Sequence, residues 1–243
     1  MKAILLILSL SSLLFISFCS DKKPLQKQIK GFSVIELFTS EGCSSCPPAD
    51  KLLEEINKEY PDKKVLVLAY HVDYWNRLGW QDRFSSVANT QRQNYYATIF
   101  NLSSIYTPQA VVNGSEEFVG SQKTKMVQAI ETSTKANKAI TLTASYTNKK
   151  IVVNYDANSK LPDEEILIAL VEKDASTDVK RGENEGRKLH HVNIVRQFEH
   201  INKNKGTVQF QLPEKMKEDF FVVALIQNEK TGSISGYSWT SIN

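Results

Sequence analysis

Residues 38–50 read FTSEGCSSCPPAD and place Cys43 and Cys46 three positions apart, directly before two prolines. The apolar run SVIELFT at residues 33–39 precedes them and is typical of a buried strand. The prolines favour the first turn of a helix, where their missing amide hydrogens cost nothing. Because a second apolar run, VLVLAY, follows at residues 65–70, we expect a strand, the dithiol, a helix and a parallel second strand.

This position gives the cysteines a chemical role. A thiolate at a helix N-terminus lies at the positive end of the helix dipole, near unpaired amide hydrogens. In such C-x-x-C sites the thiol pKa falls from about 8.5 to roughly 3.5–7.5. We expect Cys43 to attack and Cys46 to resolve the mixed disulfide. A structural disulfide is disfavoured, because its stabilising effect grows with loop length and this pair encloses two residues.

A second motif lies downstream, where residues 106–120 read YTPQAVVNGSEEFVG and predict a hairpin around an Asn-Gly turn. This segment resembles the thioredoxin superfamily, whose members carry Thr, Ile or Val before a cis-proline at the start of the third core strand. Thr107 and Pro108 occupy that position. The resemblance implies that Pro108 faces the dithiol and that Thr107 presents its backbone to an extended substrate. A trans Thr-Pro bond at a plain strand start is the alternative.

An aromatic segment, AYHVDYWNRLGWQDRF at residues 69–84, follows the second strand. Because parallel strands end at the same edge of a sheet, we expect His71 and Asp73 beside the dithiol. Trp75 and Trp80 would then cover it. The tryptophans either line a substrate site or form a small aromatic core that holds the loop. For His71, a hydrogen-bonded structural histidine is the favoured interpretation.

The pattern changes near residue 139, where apolar and polar residues begin to alternate on both sides of a polar turn. Further β-like runs follow at 165–171, 191–198, 207–212, 220–227 and 235–241. We therefore predict an α/β thioredoxin-like domain at 31–138, followed by a mainly β, sandwich-like domain at 139–243.

The segment GENEGR at residues 182–187 is predicted to be a loop, because its glycines and charges interrupt either periodicity. Glu183, Asn184 and Arg187 are candidate residues for closing over the dithiol, and Arg187 for binding an acidic group on a partner. A solvated hairpin end is the alternative. The adjacent histidines at 190–191 would point to opposite faces of a strand, so they are a poor joint metal site.

Four strings together resemble one family of secreted bacterial thioredoxin-like proteins, catalogued as a domain of unknown function. They are VIELFTSEGCSSCPPAD, LAYHVDYWNRLGWQDRFSS, YTPQAVVNG and RGENEGRKLHHVNIVR, and they extend over residues 34–196. The resemblance implies a thioredoxin-like fold with an intact dithiol. It supplies no substrate.

The first residues indicate export. Residues 1–19 combine an early lysine with an apolar and serine run, as in a signal peptide, and 20–30 form a polar tether. The end of the run, ISFCS, resembles the lipobox of bacterial lipoproteins, which implies that Cys19 is lipidated and anchors the chain to a membrane. A plain signal peptide, giving a periplasmic or secreted protein, or a short anchor is the alternative.

The sequence thus predicts a cell-envelope thiol-disulfide oxidoreductase that acts on protein thiols or disulfides together with a redox partner. It needs no cofactor beyond the Cys43–Cys46 disulfide. Nucleic acid is a poor partner, because the 30 basic residues are scattered among 27 acidic ones, with a net charge of +3. One alternative is a Cu(I)-binding envelope protein using the same cysteines and His71. Another is a binding lipoprotein that recognises a partner through its β-rich domain.

Overall fold

The computed structural model describes residues 31–132, 138–158, 163–211 and 219–243. The predicted signal peptide, the tether and the lipidation of Cys19 lie outside the described residues. Within the described ranges, no helix combines the length and apolar character needed to cross a membrane.

Three α-helices, one short 3-10 helix (Asn76–Leu78) and eleven strands make up the described structure. The helices are α1 (Pro47–Glu59), α2 (Val87–Ile99) and α3 (Lys123–Glu131). The strands before α3 are β1 (Ser33–Thr39), β2 (Val65–His71), β3 (Gln109–Val112) and β4 (Glu116–Val119). Those after it are β5 (Thr141–Thr147), β6 (Lys150–Asp156), β7 (Glu164–Asp178), β8 (Lys188–Ile201), β9 (Lys205–Gln211), β10 (Phe220–Asn228) and β11 (Ile234–Ser241).

Eight strands form one mixed sheet in the order β11-β10-β7-β8-β2-β1-β3-β4. β1 and β2 are parallel, and β3 runs antiparallel to β1. β8 then lies parallel to β2, with Ile194 opposite Ala69. Four strands of the β-rich region therefore extend the thioredoxin-like sheet, and the predicted division between residues 138 and 139 does not coincide with a break in it.

A separate antiparallel sheet, β5-β6-β9, packs on this extension. Its apolar residues, including Ile151 and Val153, share a hydrophobic cluster with Ile168 of β7 and Val222 of β10. β7 and β10 are covered on both faces, which explains their continuous apolar runs. The β-rich region thus does not form the separate sandwich that was expected, because its larger sheet is part of the central one.

The helices cover the thioredoxin-like part of the sheet on both faces. Alternate residues of β1 point to opposite sides. Ile35 and Leu37 pack with residues of α1 and α3, whereas Val34 and Phe38 pack with Tyr96 of α2. β1 is buried throughout and ends at the loop that carries the dithiol.

A buried polar network also joins the two regions of the chain. Glu36 of β1 pairs with Arg92 of α2, and Tyr96 donates a hydrogen bond to the same carboxylate. Gln227 of β10 accepts a hydrogen bond from Arg92 and donates one to the Tyr96 hydroxyl at 2.8 Å. Because an unpaired charge would be costly at this depth, the network holds α2 and β10 in a fixed relation to β1.

Candidate active site

Cys43 and Cys46 form a disulfide directly before α1. Cys46 is the N-cap residue of the helix, and a proline follows it at the first helical position. Neither cysteine side chain has exposed surface, whereas Ser44 and Ser45 between them are exposed. The sulfur atoms therefore lie at the positive end of α1 but under a cover of neighbouring groups.

The peptide bond between Thr107 and Pro108 is cis, as the resemblance to thioredoxins implied. Phe38 of β1 pairs with Gln109 of β3, so Pro108 comes to the same edge of the sheet as the end of β1. Trp75 connects this point to the dithiol loop. Its Nε1 donates to Thr107 Oγ1 at 2.8 Å, and its Cβ lies 3.1 Å from where a Cβ on Gly42 would be.

The loop at 182–187, from the C-terminal region, hydrogen bonds to the backbone of the dithiol loop. The side-chain amide of Asn184, which has no exposed surface, donates to the carbonyl oxygens of Glu41 and Cys43, each at 2.9 Å. The Glu183 carboxylate accepts the Ser44 N–H at 3.0 Å, and hydrogen bonds from Ser44 lower the pKa of Glu183. Arg187 is exposed, and its backbone hydrogen bonds to Asn184 and Val179.

The other predicted residues of the aromatic segment have different partners. Trp80 Nε1 donates to Glu41 Oε2 at 2.8 Å, which holds this tryptophan to the dithiol loop. His71 is buried and hydrogen bonds through Nδ1 to Asp82 Oδ2 at 2.6 Å, as a structural histidine would. Asp73 accepts a hydrogen bond from the Thr90 hydroxyl of α2. The two tryptophans therefore fix the cover of the dithiol, while Asp73 fixes the loop to α2.

Sequence reasoning missed a buried charged cluster beside the dithiol. It consists of Glu41, Asp50, His71, Asp82 and His191, and each of these side chains is at most 7% exposed. His191 Nε2 lies 3.5 Å from Glu41 Oε1, and His191 Nδ1 lies 3.9 Å from Asp50 Oδ1. The rings of His71 and His191 meet edge to face, with their centroids 4.5 Å apart.

One sequence signal pointed to part of this cluster. Asp50 follows Cys46 by four residues, which places both on one face of the predicted helix. Strand alternation separates His190 from His191 but does not say which of them faces the dithiol. In the structure His190 is partly exposed and contacts Asp174 and Glu54 instead.

The cluster is electrostatically coupled. Burial alone would lower the pKa of His191, but Asp50 and Glu41 outweigh this effect and raise the pKa to about 10. Burial would raise the pKa of Asp82, but His71 and the backbone amides of Glu41 and Phe84 lower it to about 2. His191 is therefore a buried cation near neutral pH, and Asp82 is a buried anion.

Among the residues that the structure describes, no group of three or more His, Cys, Asp or Glu side chains is arranged to hold a metal ion. The two sulfurs are bonded to each other, and His71 is engaged with Asp82. A soft-metal site using both cysteines and His71 would require all of these contacts to change.

The chain belongs to the family described as "Protein of unknown function (DUF1223)", which matches residues 34–227. It is 34% identical to a thioredoxin of Methanocaldococcus jannaschii over 98 residues, which cover 40% of this chain and 91% of that protein.

Two solved structures are similar over most of the chain. An Agrobacterium tumefaciens protein, AGR_C_4864, is 26% identical with a TM-score of 0.64, covering 88% of this chain and 94% of that one. HBP35 of Porphyromonas gingivalis is 16% identical with a TM-score of 0.59, covering 88% and 76% respectively, and shares the fold. The first likeness extends beyond the thioredoxin-like part and includes the added strands.

Proposed function

We propose that this member of the DUF1223 family is a thiol-disulfide oxidoreductase of the cell envelope that acts on protein thiols or disulfides. The observation that carries the proposal is the Cys43–Cys46 disulfide at the N-terminus of α1. The cis Thr107-Pro108 bond and the identity to a thioredoxin support it. The envelope location rests on the predicted signal peptide and on the predicted lipidation of Cys19.

The reaction uses the dithiol in two steps. In the reduced protein the Cys43 thiolate attacks a substrate disulfide, a bond forms between Cys43 and one substrate sulfur, and the other sulfur leaves as a thiolate. Cys46 then attacks the Cys43 sulfur, which restores the disulfide and releases the second substrate sulfur. The substrate is reduced by two electrons and the dithiol is oxidised by two. The positive end of α1 stabilises the Cys43 thiolate.

A substrate can reach the buried Cys43 sulfur only after part of the structure around it moves. Because the Cys43 side chain has no exposed surface, a protein substrate reaches the sulfur after a covering group moves. The side chains that contact the dithiol loop include those of Trp75, Trp80, Asp82, Glu183 and Asn184. The contact through Glu183 is at the protein surface, so it is the easiest to exchange for a substrate.

The test is to trap the mixed disulfide. A Cys46→Ala chain expressed in its own cells should accumulate covalent complexes with substrates, because the resolving thiol is absent. A chain with both cysteines replaced by alanine is the matched control and should trap nothing. If Cys46→Ala traps nothing while the purified wild-type chain binds Cu(I) stoichiometrically through both thiols, the oxidoreductase proposal is wrong and the metal-binding alternative replaces it.

A further inference from the structure

The six arginines of the chain fall into two groups. Arg92 and Arg196 are in ion pairs, the first with buried Glu36 and the second with Glu172. The other four are exposed, and none of them forms an ion pair with a carboxylate of the described residues; they are Arg77, Arg83, Arg181 and Arg187. These four arginines therefore carry positive charge that no described carboxylate neutralises.

All four unpaired arginines come from the two segments that bind the dithiol loop. Arg77 and Arg83 belong to the aromatic segment at 69–84, and Arg181 and Arg187 lie on either side of Asn184. The aromatic segment reaches the dithiol loop through the hydrogen bond from Trp80 to Glu41, and the loop at 182–187 reaches it through Glu183 and Asn184. Only six of the 30 basic residues of the chain are arginines, so their concentration on these segments does not follow from composition.

The two segments also contact each other. A Cβ on Gly182 would lie 3.2 Å from the Trp80 Cβ and 3.8 Å from the Leu78 carbonyl oxygen. Arg83 donates to the Ser176 carbonyl oxygen and to Thr177 Oγ1, each at 3.2 Å, at the end of β7. The four arginines thus lie on one continuous part of the protein beside the dithiol loop, which we call the arginine surface.

Positive charge is in excess on these segments. Two exposed lysines, at 180 and 188, border the loop at 182–187 and form no ion pair with the described residues either. Three acidic side chains are exposed on the same segments, and one of them, Glu183, accepts the Ser44 N–H. Asp73 and Asp82 are engaged with Thr90 and His71. Four arginines and two lysines therefore face three exposed carboxylates.

The chemistry of the arginine surface matches a carboxylate-bearing partner. A guanidinium group presents its N–H donors in a planar fork that fits both oxygens of a carboxylate, which an ammonium group does not. Leu78, which is 49% exposed, lies next to Arg77 and adds an apolar contact. Resting on the proposed oxidoreductase function, we propose that the arginine surface binds an acidic segment of the protein substrate, next to the cysteine that is reduced.

The arginine surface acts on association with the substrate. Each exposed pair of opposite charges is weak by itself, but several charges of one sign steer an oppositely charged partner and raise its rate of association. Salt screens this attraction. The arginines therefore raise the second-order rate with acidic substrates at low salt, and they take no part in the exchange between the sulfur atoms.

The test uses three peptides of equal length, each with one cysteine joined in a mixed disulfide to thionitrobenzoate, which is coloured once released. Glutamates surround the cysteine in the first peptide, glutamines in the second and lysines in the third. The reduced full-length chain carries Cys19→Ala in every protein, so that Cys43 and Cys46 are the thiols followed. It reduces the disulfide to the peptide thiol and thionitrobenzoate, and its own dithiol becomes the disulfide.

The variant combines Arg181→Gln with Arg187→Gln. The ratio of wild-type to variant rates on one peptide does not depend on the intrinsic reactivity of that peptide. At low salt we expect this ratio to be at least about fivefold on the glutamate peptide, within the range of electrostatic steering, and below about twofold on the glutamine peptide. The lysine peptide should react no more slowly with the variant. In about 1 M salt, where charges are screened beyond about 3 Å, the ratios should converge.

The matched control combines Lys149→Gln with Lys203→Gln. It removes the same charge from exposed positions in the turn between β5 and β6 and in the connection from β8 to β9. These substitutions should leave the rates on all three peptides within about twofold of wild type. An equal loss on the glutamate peptide in this control would show that net charge alone sets the rate, and the proposal would be wrong.

Equal wild-type-to-variant ratios on the glutamate and lysine peptides also overturn the proposal. If the arginine variant then binds phosphatidylglycerol vesicles more weakly than wild type, the arginine surface serves an anionic membrane instead. Near-ultraviolet circular dichroism establishes which variants are folded. Should the arginine variant fail to fold, the wild-type chain decides: its rate on the glutamate peptide must fall more with salt than its rate on the lysine peptide.

Failure of the proposed function gives a different result. In that case the wild-type chain would release no more thionitrobenzoate from any of the three peptides than a chain with both Cys43 and Cys46 replaced by alanine. A wild-type chain that reduces all three peptides without preference retains the oxidoreductase function and loses the arginine surface as its substrate site.

Discussion

The side-chain amide of Asn184 hydrogen bonds to the carbonyl oxygen of Cys43 at 2.9 Å, although 141 residues separate the two in sequence. The same amide binds the carbonyl oxygen of Glu41. A residue of the β-rich region therefore fixes the backbone on both sides of Gly42, next to the dithiol.

Replacing Asn184 by alanine should loosen the dithiol loop. Two carbonyl oxygens lose the side-chain amide that binds them, and an unsatisfied buried polar group costs about 1–3 kcal/mol. We expect the free energy of unfolding to fall by about that amount, and reduced Cys43 to react faster with iodoacetamide. Glu185→Ala, in the same loop but exposed, is the control and should change neither quantity. Equal alkylation rates in the two variants would contradict the role given to Asn184.

His191 should make the stability of the oxidised protein depend on pH. Its pKa is raised from 6.5 to about 10 by folding, so its contribution is complete below about pH 6.5 and is lost as the pH rises toward 10. A tenfold change in proton affinity corresponds to about 1.4 kcal/mol. The difference in unfolding free energy between wild type and His191→Gln should therefore shrink over this interval, in urea titrations at several pH values. A constant difference would show that His191 is not a buried cation.

Asp82 should contribute stability at neutral pH that is lost in acid. Its pKa is lowered from 3.8 to about 2, so the contribution is present above about pH 3.8 and disappears as the pH falls through 2. Asp82→Asn removes a charged partner of His71 and should cost about 1.5–3 kcal/mol at pH 7. Asp174→Asn, whose carboxylate is largely exposed beside His190, should cost much less. Similar losses in both variants, measured by urea unfolding, would argue against a special role for the buried pair.

Gly114 should tolerate no side chain. It lies in the turn between β3 and β4 with φ +63°, and a Cβ there would be 1.8 Å from the Gly232 carbonyl oxygen. Gly114→Ala must therefore separate this turn from the one between β10 and β11. Gly186, with φ +78° and no atom near its Cβ position, is the control. Gly186→Ala should cost about 1–2 kcal/mol from the left-handed backbone alone, and Gly114→Ala clearly more, as read from thermal unfolding.

The local parts of the fold could be predicted from sequence. The strand at 33–39, the proline-started helix and the strand at 65–70 are defined by short-range patterns, and the structure contains all three. The pairing of β8 with β2 could not be predicted in this way. No local pattern specifies which distant strand pairs with the edge of a sheet, since this pairing depends on the packing of the whole chain.

The same limit applies to the site. The cysteines and the Thr107-Pro108 pair are recognised from motifs. His191, by contrast, lies beside Glu41 and Asp50 because β8 pairs with β2. Asp73 illustrates the opposite case. It follows the end of β2, as the sequence indicates, and its side chain then bonds to Thr90 of α2. The order of the strands determines the edge of the sheet at which a residue lies. The hydrogen-bond partners of its side chain determine where that side chain points.

The distance in sequence between the dithiol and its cover has a consequence for biosynthesis. Chains are made from the N-terminus at roughly 5–20 residues per second, so Asn184 emerges on the order of ten seconds after Cys43. During that interval the cysteines of the growing chain have neither Asn184 nor His191 beside them. Until residue 191 has been made, the hydrogen bonds from Asn184 and the ion pair of His191 beside the dithiol loop cannot form.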